Sequence, residues 1–242
     1  MLYSSFGALA FILHIIINYD ILFKPQDLQK LRAFKQLRIF LISLLVYYAS
    51  DICWGLLYDR KLAVLGTFDT YIYFLSMAVS IFLWTRFVMA FLVNSSFINR
   101  FLYWIGALIL LFICIVLAIN VFDPIVFYFD PNGVYYPLNA RYLILVIQIV
   151  FFFIASVYCI FTAGDLDQKK KLHHMTIGWA GIAMTIFCIL QAMDPYLPFY
   201  AIGCMIGSCL LHTFLLEAYL MDRQHGLEIM LQNKLREEER TE

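Results

Sequence analysis

Apolar residues fall in long runs rather than alternating with polar ones. Seven runs, at about 3–23, 37–59, 67–93, 100–122, 142–163, 174–193 and 197–220, approach the roughly 20 residues that a helix needs to cross hydrocarbon. The pattern predicts an all-α fold, a polytopic membrane protein built as a seven-transmembrane helix bundle. The first run is not read as a cleaved signal peptide, because it lacks a basic start and contains His14, Asn18, Tyr19 and Asp20.

Composition makes lipid the expected solvent. Of 242 residues, 63% are hydrophobic and 14% charged, too little polar surface to cover a soluble core of this size. The formal net charge is zero, and no basic surface suited to nucleic acid is evident. The cations are unevenly placed. Thirteen (Lys24, Lys30, Arg32, Lys35, Arg38, Arg100, Lys169 to Lys171, Arg223, Lys234, Arg236 and Arg240) fall in odd-numbered connections or the tail, against Arg60, Lys61 and Arg141 opposite. The positive-inside rule then puts the amino terminus outside and the carboxyl terminus in the cytoplasm.

The outer connection from Asp123 to Arg141 has two aromatic, β-prone runs flanking Asp130-Pro131-Asn132-Gly133. Proline presets the second turn position and glycine accepts the left-handed conformation after a type I turn. The expectation is a short extracellular β-hairpin over the bundle, the alternative an irregular aromatic loop. Asp194-Pro195 and Leu197-Pro198 predict a tight outer turn, and Gly203 with Gly207 a close helix approach. No internal repeat is seen, so residues 1–220 read as one transmembrane domain.

Ionisable and polar groups within the spans need a partner, a water cavity or a role. At 1.5 Å per residue, Asp51 lies about 10 Å below the outer end of its helix, with Gln148 and Gln191 at similar heights. Trp54, Tyr58, Tyr71, Tyr73 and Asn120 share that outer half. Together they suggest an aromatic ligand pocket with a few polar groups. The alternative is a packed Asp51 beneath an interfacial tyrosine belt. In the inner half His14, Asn18, Asp20, Thr85, Arg86, His212 and Glu217 form a second set. Arg86, about 27 Å below the outer start of its helix, either pairs with Asp20 or Glu217 in a signal-relay network or snorkels to the inner headgroups.

No cofactor and no metal site is expected. All six cysteines sit in apolar runs without ligand spacing and read as small buried hydrophobes. His14 and His212 differ by about 6 Å in depth, against a shared haem. No lysine lies within a span to carry a retinal Schiff base. No hydrolase, metalloprotease or P-loop pattern appears, so no catalytic residue is assigned.

After Leu220, hydrophobic positions at Leu227, Met230 or Leu231 and Leu235 recur at three-, four- or seven-residue steps among charges. This marks residues 221–242 as a cytoplasmic signalling helix, the start of a coiled coil expected to be cut short at Glu242. Gly226 is its weak point, and a solvated juxtamembrane helix is the alternative. The segments F-G-A-L-A-F-I-L-H-I-I-I-N-Y-D, D-I-C-W-G-L-L-Y-D, F-L-W-T-R-F and L-P-F-Y-A-I-G-C-M-I-G-S-C-L-L-H-T-F-L-L-E resemble the amino-terminal seven-transmembrane sensory modules of bacterial membrane diguanylate cyclases and of some histidine kinases. The resemblance spans about residues 3–222. It implies a receptor in the bacterial inner membrane, to which the outer pocket adds the expectation of a small extracellular ligand. It also implies a homodimer, joined through the last helix, that signals to a cytoplasmic enzyme. The GGDEF motif is absent, so no cyclase activity is assigned to this chain. A small-metabolite transporter or channel is the alternative, disfavoured because no repeats or midplane helix breaks are evident.

Overall fold

The computed structural model describes residues 2–23, 32–92, 97–164 and 168–213, and in the tail 224, 227, 228 and 230–232. Helix follows helix: α1 (Leu2–Ile17), α2 (Tyr19–Phe23), α3 (Arg32–Asp59), α4 (Ala63–Leu92), α5 (Phe97–Phe122), α6 (Asn139–Phe161) and α7 (Gln168–Met193), with strands β1 (Phe127–Phe129) and β2 (Tyr135–Pro137) between α5 and α6. A shorter apolar helix, α8 (Phe199–Thr213), follows α7.

Five helices, α3 to α7, are long and apolar enough to cross a membrane. Their surfaces are apolar as well. In α5 only 28% of the most apolar window is buried, and Leu108, Leu111 and Ile115 are at least half exposed. An apolar exterior on this scale would draw a water-soluble chain into association. This is the build of a multi-pass helical membrane protein.

The helix ends differ from the reading of the sequence. Lys35 lies inside α3 and Lys171 inside α7, ahead of the runs 37–59 and 174–193, because a long cationic stem can run along a helix without ending it; Arg38 and Arg100, counted with the connections, lie inside α3 and α5. The first apolar run is interrupted at Asn18, whose side-chain amide donates to the His14 carbonyl at 3.0 Å. Backbone bonds from Asn18 N to His14 O (3.1 Å) and from Leu22 N to Asn18 O (2.9 Å) carry helical pairing across the break.

Three connections meet at one end of the bundle. The α3–α4 turn is a Schellman cap: Lys61 takes φ 55°, Lys61 N donates to Tyr58 O and Leu62 N to Leu57 O. The strands pair antiparallel, Phe127 with Pro137 and Phe129 with Tyr135. Asp130 closes their turn, its carbonyl accepting from Gly133 N and its carboxylate from Asn132 N and Val134 N. The hairpin tip rests on the α3–α4 turn. Gly133 has φ 77°, and a Cβ there would lie 2.8 Å from the Lys61 Cα and carbonyl oxygen. The α7–α8 turn joins the same end where the Tyr196 hydroxyl donates to Tyr135 O at 3.3 Å.

Gly133→Ala therefore meets both an unfavourable backbone conformation and a clash with backbone. The expected cost is about 2 kcal/mol, read by thermal unfolding in detergent. An unchanged midpoint would show that the tip is not seated on the turn.

Elsewhere the core is aromatic. Tyr47, Tyr48, Phe40, Trp84, Phe152 and Tyr200 are fully buried along the bundle axis. Gly203 and Gly207 of α8 lie against Phe187 and Met184 of α7, so the small residues bring these two helices into close contact. Of the six free cysteines, Cys159, Cys188 and Cys204 are buried, whereas Cys53 is exposed. The sequence reading had placed all six inside. In the tail the described Leu227, Met230 and Leu231 are exposed; Leu220, Gly226 and Leu235 of the expected coiled-coil seam lie outside the described residues.

Candidate functional site

At the hairpin end, beneath β2, lies a cavity of about 20 Å³, room for about one water molecule. Trp54 of α3 forms one wall, with Tyr73 and Phe74 of α4 and Tyr135 of β2. Thr70, Arg141 and Gln191 are the polar residues of the lining besides Tyr73 and Tyr135, and Tyr3 and Pro195 complete it. The aromatic walls are held firmly. Trp54 stacks on Tyr58 (centroids 5.1 Å, planes 6° apart) and meets Tyr135 edge-on at 5.6 Å. Its indole N–H donates to Thr70 Oγ1 at 3.1 Å, and that hydroxyl donates to Gly66 O.

Arg141 is the cation of this site. Charge counting treated it as an outer-loop marker; instead it is the third residue of α6 and only 3% exposed. Its Nη2 donates to the Gln191 carbonyl at 2.9 Å, whereas Nη1 has no hydrogen-bond partner. The cavity lining contains no carboxylate. Burial raises the pKa of the Tyr135 phenol, and the Arg141 charge opposes that rise.

Of the seven expected ligand residues, Trp54 and Gln191 line the cavity, and the others have different surroundings. Asp51 is fully buried on the α1 side of α3. Its Oδ1 accepts from the Tyr3 hydroxyl at 2.7 Å and the Tyr47 hydroxyl at 3.5 Å. Its Oδ2 is unpartnered, and a Cβ on Gly7 would lie 3.0 Å from it. Tyr3 therefore links the carboxylate to the cavity that it also lines. Tyr58 stands behind Trp54, with Tyr196 at 6.0 Å. Gln148 is completely buried and neither amide atom has a partner. Tyr71 and Asn120 belong to the hairpin anchor. Asn120 Oδ1 accepts from the backbone N–H groups of Ile125, Val126 and Phe127, and its Nδ2 donates to the Tyr71 hydroxyl and to Phe127 O. Gln191 has two duties. Its Oε1 accepts from Tyr200 N at 3.1 Å, capping the first turn of α8.

The expected relay residues do not form one cluster among the described residues. His14 is fully buried between Ser208 of α8 (Nδ1 to Oγ, 3.2 Å) and the Leu41 carbonyl of α3 (Nε2, 3.1 Å). Asp20 lies close enough to His212 for an electrostatic interaction. The Arg86 guanidinium lies over Phe82 and Tyr103, 5.8 and 5.9 Å from the ring centroids. Glu217 lies outside the described residues.

The sequence reading missed Arg141 and Asp69 as buried polar groups, and the half-buried Tyr3 as the partner of Asp51. Asp69 of α4 is 8% exposed and accepts from the Ser50 hydroxyl at 3.2 Å. A signal existed for Arg141: it is one of only three cations on its side and opens an apolar helix directly after an aromatic loop. No protein-family model matches the chain, and no curated protein matches it significantly.

Proposed function

We propose that the chain is a seven-crossing sensory module of the bacterial inner membrane, with the hairpin end outside and the tail in the cytoplasm. In this reading α1 with α2, and α8 with the residues that follow it, supply the two crossings beyond the five long helices. A small solute enters beneath the hairpin, and the response leaves through α8 to a dimeric cytoplasmic output enzyme, a diguanylate cyclase or a histidine kinase. The observation that supports this reading is the double role of Gln191, which lines the cavity and also caps the helix that leads to the tail.

The relay can be tested by fusing the chain through Glu242 to a diguanylate cyclase catalytic domain. Inserting one residue between Leu220 and Gly226 rotates everything downstream by about 100° relative to the bundle. Cyclic di-GMP output is expected to lock on or off. Seven inserted residues restore the heptad phase and most of the regulated output. Equal output from both insertions would reduce the tail to a tether.

A further inference from the structure

We infer that the cavity under the hairpin is an anion site, with Arg141 as its ligand-binding cation and a short monocarboxylate of formate or acetate size as its ligand. This rests on the reading of the cavity as the solute site and is independent of any output domain.

The guanidinium is withdrawn from solvent at 3% exposure; among the described residues it makes one hydrogen bond, from Nη2 to the Gln191 carbonyl, and lies 5.3 Å from the centroid of the Tyr142 ring. Nη1 is buried with no partner. A buried charge without a countercharge is expensive, so a group retained there is stabilised by whatever anion it meets. Nη2 carries a second hydrogen beside those of Nη1. Together they form the parallel N–H pair to which a carboxylate is matched and a spherical halide is not.

Charge and size narrow the class. The lining offers one cation and no carboxylate, so a monoanion is neutralised in full while a dianion leaves buried excess charge. The cavity walls include the rings of Trp54, Phe74 and Tyr135, suited to a small apolar group on the acid. The volume of about 20 Å³, room for about one water molecule, admits a formate or acetate only as its walls move apart, and a larger metabolite less readily still. The rim includes Tyr135 and Pro195, and the Tyr196 hydroxyl ties the α7–α8 turn to Tyr135 across it. Asp51, the charged group that the sequence points to first, faces α1 and is held by Tyr3 and Tyr47.

The test uses the full chain in detergent, titrated with sodium acetate at constant ionic strength and followed by thermal unfolding. Acetate is expected to raise the midpoint with the logarithm of its concentration above Kd, by about 5 °C at a hundred times Kd. Chloride and phosphate at the same ionic strength produce no such rise. Arg141→Gln abolishes the acetate shift. Arg141→Lys, which keeps the charge and guards against misfolding of the first variant, weakens it at least about tenfold through loss of the fork. Asp51→Asn retains it. Three results would overturn the assignment: no rise in midpoint with acetate or formate at constant ionic strength, an equal rise with chloride, or stabilisation by propylammonium that Asp51→Asn removes. A silent fusion in which acetate still binds would count against the receptor reading alone. A regulated fusion without acetate binding would count against the carboxylate alone.

Discussion

Asn120→Ala is expected to unfasten the hairpin and lower stability by about 3 kcal/mol. The side-chain oxygen accepts from three successive backbone N–H groups, at 2.8 Å from Ile125, 2.6 Å from Val126 and 3.3 Å from Phe127. None of the three has another acceptor in the hairpin ladder, whose adjoining bonds run from Leu138 N to Val126 O and from Ala140 N to Ile125 O. Each buried N–H left unpaired costs on the order of 1–3 kcal/mol, partly recovered where water reaches it. The amide nitrogen also holds Tyr71 and the Phe127 carbonyl, so Tyr71 is released together with β1. Asn120→Asp keeps the acceptor, loses both amide donations and should fall between wild type and alanine. Thermal unfolding of the three proteins in one detergent measures the order. Equal midpoints would show that the amide is not the anchor. Because β2 roofs the cavity, the alanine variant should also lose acetate stabilisation while Arg141 is intact.

Much of the scaffold was legible for a simple reason. A run of twenty apolar residues has few alternatives to a membrane helix, and α3 to α7 follow such runs whatever their neighbours. Positions of the charges were less legible. Lys35, Arg38 and Arg100 count with the connections by charge, yet all three lie within helices. Arg141 shows the deeper limit. Charge counting weighs every cation alike, and so passes over the local sign that Arg141 opens an apolar helix directly after an aromatic loop.

The candidate site was legible in height but not in direction. The rise per residue placed Asp51, Gln148 and Gln191 at one level, and the structure has all three buried. Which neighbour a side chain meets depends on helix rotation and on loops distant in sequence. Asn120 looked like a ligand group because an amide within a span needs partners. Its partners are backbone groups five to seven residues on, folded back over the helix end. Trp54 and Gln191 reached the cavity because both lie near the ends where the connections converge.

The sharpest separation of binding from relay is expected at Gln191. Two contacts lead from the cavity to α8. One is the Gln191 side chain, whose Oε1 accepts from Tyr200 N. The other passes through rings: Tyr73 of the lining takes a hydrogen bond from Tyr47 at 3.4 Å, and Tyr47 meets Tyr200 edge-on at 4.8 Å. Gln191→Leu keeps the bulk and removes the acceptor, leaving a first-turn N–H of α8 uncapped at a cost of about 1 kcal/mol. The contact to Arg141 survives, because it is made by the main-chain carbonyl. Acetate should therefore still raise the unfolding midpoint, with Kd changed no more than about threefold, since roughly 0.6 kcal/mol separates such values. In the cyclase fusion the same variant should lose most of its acetate response. Tyr200→Phe, which keeps the ring contact and the backbone N–H, should retain that response. If Gln191→Leu binds acetate and still regulates the fusion fully, the signal reaches α8 through the tyrosine rings, and the cap only holds the helix in place.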